Sequence, residues 1–298
     1  MRVTHLGSTA RHLQQLQTAG GRQADGQEKV STGRRISRPS DDPAITGTVL
    51  QTGSLLRRTD QYQRNREDAA GWLGTIGQAL THASTRITVA RTRTVEAVNG
   101  SAGQDQRNAL ATEIRSIANE LRGLANQRFR GRAVFAGTAD SGEAFDSNGS
   151  FVGDEEQVAR TLGRGERVIV NTSGLDAFGV EDVADPLNGN TFQVLEAVAS
   201  ALEAGDVETA RTGIDKLDEG HTRITEALGR SGALASRVEA MAVSLEDDKI
   251  VHRQQLSQLE DVDLAQAMVE LTASQVAYEA SLATIAQANR TSLLDFLR

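Results

Sequence analysis

From Ala233 to Arg298 the chain contains neither glycine nor proline, and all 28 of its glycines lie before that point. Glycine costs about 1 kcal/mol per helix position relative to alanine, and proline about 3. A run of this length, rich in Ala, Leu, Glu and Gln, predicts one helix or two nearly continuous ones. At 1.5 Å per residue it extends on the order of 100 Å, far longer than a small globular domain is wide.

The run carries a seam. Leu264, Leu271, Tyr278 and Ile285 recur every seven residues, interleaved with Met268, Gln275, Leu282, Asn289 and Phe296. Alternating spacings of four and three mark a packed helix face. Gln275 and Asn289 dilute it, which lowers stability and restricts register. The first thirty residues repeat the rhythm through Val3, Leu6, Ala10, Leu13, Gln17, Gly20, Ala24 and Gln27, with Leu16 on the flank. Neither stripe is broad enough to hold a helix alone in water, so the two ends are expected to pair. Charge agrees in sign: residues 1–130 hold 19 Lys and Arg against 11 Asp and Glu, whereas residues 181–298 hold 9 against 21. Exposed ion pairs are worth only about 0–1 kcal/mol each, so this match selects orientation more than it stabilises.

Between the ends the pattern changes twice. Arg34 to Ala44 packs Pro39 and Pro43 into a breaker, in which Ser40, Asp41 and Asp42 are candidate helix caps and Pro43 suits a first turn. Helical periodicity then resumes through Val49, Leu56, Trp72, Leu73, Ile76, Leu80 and Ile87, turns at Asn99-Gly100, and continues at Leu110, Ile114, Ile117, Leu121 and Leu124. Near Gly131 glycines become frequent, and Phe135, Phe145, Phe151 and Phe178 gather there. Arg167 to Asn171 reads as a strand followed by a turn to Gly174, so this stretch is expected to be a small β-rich module. Helix returns at Thr191. The expected fold is mainly α with a β-rich insert: an elongated antiparallel helical bundle or coiled coil formed by the two ends, with the β module at the distal tip. The expected domains are 1–37 with 258–298, 38–131 with 188–257, and 132–187.

Aromatic residues make up 3% of the chain and hydrophobic residues 38%, below the globular norm of about 45–50%, so the cores are expected to be thin. The absence of cysteine removes disulfides, thiol nucleophiles and Cys-ligated metals. His5, His12, His82, His221 and His252 fall in no metal-ligand spacing. Gly163-Arg164-Gly165 lacks the third glycine of a dinucleotide loop, and no phosphate loop is present. Asp41 and Asp42 read as caps. No enzyme, metal or cofactor is expected. No basic stripe of a nucleic-acid binder, no apolar span for a membrane and no secretory signal is visible in the sequence.

Three segments carry a resemblance. They are Ser31-Thr32-Gly33-Arg34-Arg35-Ile36-Ser37-Arg38-Pro39-Ser40-Asp41-Asp42-Pro43-Ala44; the insert stretch Gly131 to Thr138 with Phe145, Phe151-Val152-Gly153-Asp154 and Val168 to Asn171; and Ser292-Leu293-Leu294-Asp295-Phe296-Leu297, preceded by Gln275 to Leu282. In order and spacing they are similar to the flagellin superfamily. The insert resembles its hook–filament junction branch rather than a typical flagellin. The resemblance implies a structural part of the bacterial flagellum, exported unfolded without a cleaved signal peptide. It implies neighbouring copies in a ring, a hook-side junction protein, flagellin and a cytosolic export chaperone at the C-terminal segment as partners. The assembly surface is then expected on Val3, Leu6, Leu13, Leu16, Leu264, Met268, Leu271, Tyr278, Leu282, Ile285 and Phe296. A filament-forming flagellin and a cytosolic coiled-coil scaffold are the competing expectations.

Overall fold

The computed structural model describes the backbone of residues 2–296 and the side chains of residues 10–287, in both cases apart from Ser101 and Ser141. Its elements are α1 (Arg2–Thr32), α2 (Pro43–Val98), α3 (Gln104–Ala125), β1 (Arg128–Phe129), β2 (Arg132–Ala133), β3 (Ala159–Gly163), β4 (Glu166–Ile169), α4 (Gly174–Phe178), a 3-10 turn (Pro186–Asn188), α5 (Thr191–Ala204), α6 (Val207–Glu260) and α7 (Leu264–Phe296). The glycine-free run is thus two helices interrupted only at 261–263. The chain divides into a terminal unit, residues 1–58 and 248–298, and a central unit, residues 59–247.

In the terminal unit α1 lies antiparallel along α7. A Cβ added to Gly20 would stand 3.5 Å from the Tyr278 ring, and one on Gly26 would stand 3.4 Å from Leu271 Cδ1. These glycines cost helix propensity and gain close approach. The two helix breaks face each other. Arg35 N–H donates to Glu260 O at 2.5 Å and Val262 N–H to Gly33 O at 3.0 Å, forming an antiparallel bridge between Arg34 and Asp261. Arg34 also pairs with the Glu260 carboxylate at 3.5 Å.

The breaker distributes its acids between two jobs. Asp42 Oδ1 accepts from the N–H groups of Ala44 and Ile45 at 3.2 and 3.3 Å, capping α2 with Pro43 in its first turn. Asp41 Oδ2 accepts from Arg38 and Ser37 N–H at 2.7 and 2.9 Å, closing the preceding turn. Those bonds, that from Arg38 first, hold its carboxyl below the usual range. Asp263 caps α7 through Ala265 and Gln266 N–H.

The central unit has the larger core. α3 buries Leu110, Ile114, Ile117 and Leu121 against α5, which buries Val194, Leu195, Val198 and Leu202. Trp72, Leu73, Ile76, Leu80 and Ile87 of α2 and Leu217 and Ile224 of α6 complete one continuous cluster. Trp72 meets Phe129 edge-on at 6.1 Å.

Strands contribute little to the insert: β1 pairs with β2 and β3 with β4 in two separate two-stranded sheets. Arg167 to Ile169 does lie in a strand, but the expected turn at Asn171 to Gly174 leads into α4, which Ser173 caps. What holds the insert is an aromatic knot. Phe145 lies 5.4 Å from Phe151, 5.7 Å from Phe178 and 5.0 Å from Phe192, and Phe135 lies 5.4 Å from Phe178. Asn126 ties the knot to the end of α3. Its Oδ1 accepts from Ala144 and Phe145 N–H, and its Nδ2 donates to Phe145 O at 2.7 Å. Among the described residues no helix is long and apolar enough to cross a membrane.

Candidate assembly interface

α7 is apolar on two sides. The residues shielded along it are Ala267, Leu271, Ser274, Tyr278, Ser281 and Ile285, spaced four, three, four, three and four. They form the face toward α1, where Leu271 and Tyr278 meet the helix glycines. At about 100° per residue, Val269, Ala273, Val276 and Ala280 fall on the opposite side of the helix. There Val269 is 69% and Val276 61% exposed. Met268, Val269, Thr272, Ala273 and Val276 border an open groove of about 610 Å³. Burying a Val or Met side chain is worth about 1.5–3 kcal/mol, so this stripe favours any partner that covers it.

The expected site residues divide between these surroundings. Leu271, Tyr278 and Ile285 are half-buried on the α1 side. Leu264, Met268 and Leu282 are exposed at the edge of the seam. Among the described residues of α1 the shielded positions are His12, Leu16, Ala19, Gly20, Gln23, Gly26 and Val30 along one face, with Glu28 and Lys29 beside it near the breaker. This face lies one residue back from the 13–17–20–24–27 reading: Leu16 is on it, and Leu13 is 51% exposed. The side chains of Val3, Leu6 and Phe296 lie outside the described residues.

Val269, Ala273 and Val276 were the residues that the seam reading passed over. Their own four-three spacing was a usable signal, hidden because it interleaves with the first seam. A helix with two apolar stripes and small residues between them shows weak one-sided amphipathicity, which is the pattern of a helix surrounded by partners.

Among the described residues the central unit shows no comparable constellation for chemistry. Ser84 Oγ lies 3.0 Å from His221 Nε2, a pair without the orienting carboxylate that a nucleophile needs. Among the described residues no three His, Cys, Asp or Glu side chains are placed to hold a metal. Arg115 is gripped by Glu203 and Glu196 at the surface between α3 and α5, a structural clamp.

Known proteins match this arrangement. The bacterial flagellin N-terminal helical region matches residues 3–140, and the bacterial flagellin C-terminal helical region matches residues 214–297. The chain is 27% identical over 276 residues to flagellar hook-associated protein 3 of Escherichia coli K12, covering 85% of this chain and 87% of that protein. It is 26% identical to the flagellin of Bacillus subtilis strain 168 over 309 residues, covering 100% of both. The crystal structure of FlgL from Xanthomonas campestris superposes with a TM-score of 0.61 at 17% identity, covering 68% of this chain and 98% of that one; the two share a fold. The matched regions take in both terminal helices and the helices that follow or precede them, and the chain belongs to the bacterial flagellin family.

Proposed function

We propose that this chain is a hook–filament junction protein of the bacterial flagellum. In this role it is an adaptor between the hook-side junction protein and the flagellin filament, present as a ring of neighbouring copies. The observation that carries an assembly role is the bare stripe of Val269, Ala273 and Val276 behind a face already packed on α1. A helix apolar on two sides needs cover on both. The similarity to a protein named for its association with the hook favours the junction over the filament. A cytosolic chaperone that binds the C-terminal segment would cover the same stripe before export.

Immunogold labelling of intact flagella tests the assignment. The expected result is a single narrow band at the boundary of hook and filament. Label along the whole filament overturns it in favour of flagellin, the second reading, which the full-length match to the Bacillus subtilis protein supports. Polymerisation of the purified chain alone into long filaments points the same way.

A further inference from the structure

In the central unit a polar cavity of about 450 Å³ opens where the end of α4, the loop after it and α6 meet. Arg223 of α6 enters it. The Arg223 Nε is buried and has no hydrogen-bond partner, and no ion pair reaches this guanidinium among the described residues. Glu219, one turn earlier and the acid whose charge acts on it, is held by Lys216 Nζ at 2.9 and 3.2 Å. Burial accordingly pushes the guanidinium below its ordinary value, against the pull of Glu219. The loop backbone lies close against the arginine. Gly179 has φ +93, and a Cβ there would lie 3.2 Å from Arg223 Nη2, so the loop closes over the side chain only with glycine at this position.

A half-buried arginine that keeps its charge and has a buried Nε–H without an acceptor can receive one. We infer that the Arg223 cavity binds a carboxylate, supplied by an Asp or Glu side chain of an adjacent protein. The planar fork of Arg223 matches a carboxylate with two parallel hydrogen bonds. Arg230 lines the same cavity and can swing in, because its only ion pair among the described residues is a 4.0 Å contact to Asp176 with both side chains more than half exposed. Asp176 and Glu226 also line it. Their two charges offset those of Arg223 and Arg230, so the choice of a carboxylate rests on the planar fork of Arg223 rather than on net charge. The rim favours a protein over a small metabolite: Val180, which borders the cavity, is 66% exposed, and Val183, three residues on, is exposed as well. A protein that inserts an acidic side chain covers this apolar margin in the same contact. The inference is independent of the flagellar assignment, since it uses only the central unit.

The test is a titration of the full chain labelled with ¹⁵N-arginine, following Nε–H signals. Arg223→Gln identifies the Arg223 signal by its disappearance. The expected result is a saturable shift of that signal with acetyl-Gly-Glu-Gly-amide at millimolar concentration, and a response at least tenfold weaker with acetyl-Gly-Gln-Gly-amide. Sodium chloride at matched ionic strength should leave the signal unmoved. Arg230→Gln, at an exposed position, should weaken the glutamate peptide at least threefold, and it reads the site even where the Arg223 variant does not fold. Equal response to the glutamine peptide or to chloride, or no saturable shift, overturns the site. Tighter binding of inorganic phosphate than of the peptide overturns the carboxylate assignment. A site that takes sodium malonate but not the peptide overturns the protein as its source.

Discussion

The two units are built from the same helical material and spend it differently. The central unit completely buries Phe135, Phe145, Phe178, Leu80, Ile87 and Ile114, with Trp72 barely accessible, and large aromatic side chains contribute most per residue to a core. The terminal unit packs α1 on α7 through Gly20, Gly26, Ala267, Ser274 and two larger side chains, Leu271 and Tyr278. One unit is closed on itself. The other leaves Met268, Val269 and Val276 bare. The difference is between a body whose large side chains are covered within its own chain and ends that leave apolar surface for a partner to cover.

The comparison is most exposed to a break in the aromatic knot. Phe145→Ala should cost the central unit about 3–5 kcal/mol, because the ring contacts three other phenylalanines. Urea unfolding followed by fluorescence of Trp72, the only tryptophan, reports that unit alone. In the unaltered protein the helical ellipticity at 222 nm should begin to fall before Trp72 responds, since α1 and α7 are the weaker pair. Coincident transitions by both probes would show that the terminal helices are as secure as the centre. Limited proteolysis should likewise leave a resistant fragment near 38–255, and termini that survive as long as the centre break the contrast.

Two aspartate substitutions divide the two faces of α7. Leu271→Asp places a charge against Gly26 and should abolish both the pairing with α1 and assembly, visible as lost ellipticity with an unchanged Trp72 transition. Val269→Asp stands on the bare side. It should leave the monomer's melting within about 0.5 kcal/mol of the parent, as is usual for exposed positions, while reducing incorporation into flagella at least tenfold by immunoblot. Normal incorporation removes the outer stripe from the proposed function.

Much of this division was legible in the residues. The helical run after Gly232 followed from its lack of glycine and proline, although α6 also continues back through Gly213, Gly220 and Gly229, and α3 followed from the spacing of Leu110, Ile114, Ile117 and Leu121. The pairing of the ends followed from complementary thin seams. The outer stripe was not legible in the same way, because a period-seven pattern is satisfied by more than one line on a helix. Leu264, Met268 and Leu282 fit the heptad yet lie at its exposed edge, while Ala267, Ser274 and Ser281, too small to stand out, take the shielded positions. The insert has the two short strand pairs that its glycine punctuation points to. Its backbone, however, is held mainly by Asn and Asp side chains and by phenylalanine packing, which leave no periodic trace.

The smaller predictions concern those polar staples. Asp42→Ala removes the α2 cap and should cost about 1 kcal/mol, read as a modest loss of ellipticity. Asp154→Asn should have the smallest effect, and a distinctive one. Asp154 accepts from Thr138 N–H at 2.7 Å and Glu156 N–H at 3.1 Å through Oδ1, and from the Thr138 hydroxyl at 2.8 Å through Oδ2. The Thr138 backbone bond, chief among these, holds its carboxyl below the ordinary value of 3.8. A carboxyl with a depressed folded pKa contributes stability that is full above its unfolded value and disappears as pH falls through the folded one. The melting temperature reported by Trp72 should therefore be lower in Asp154→Asn than in the parent at pH 7 and pH 5, and the two should converge as pH falls through the lowered folded value. Asp41 forms the equivalent staple in the terminal unit, which Trp72 does not report, so acid should loosen both units while the fluorescence difference follows Asp154 alone. A gap that persists undiminished at pH 2 would assign the effect to shape rather than to the ionised carboxylate.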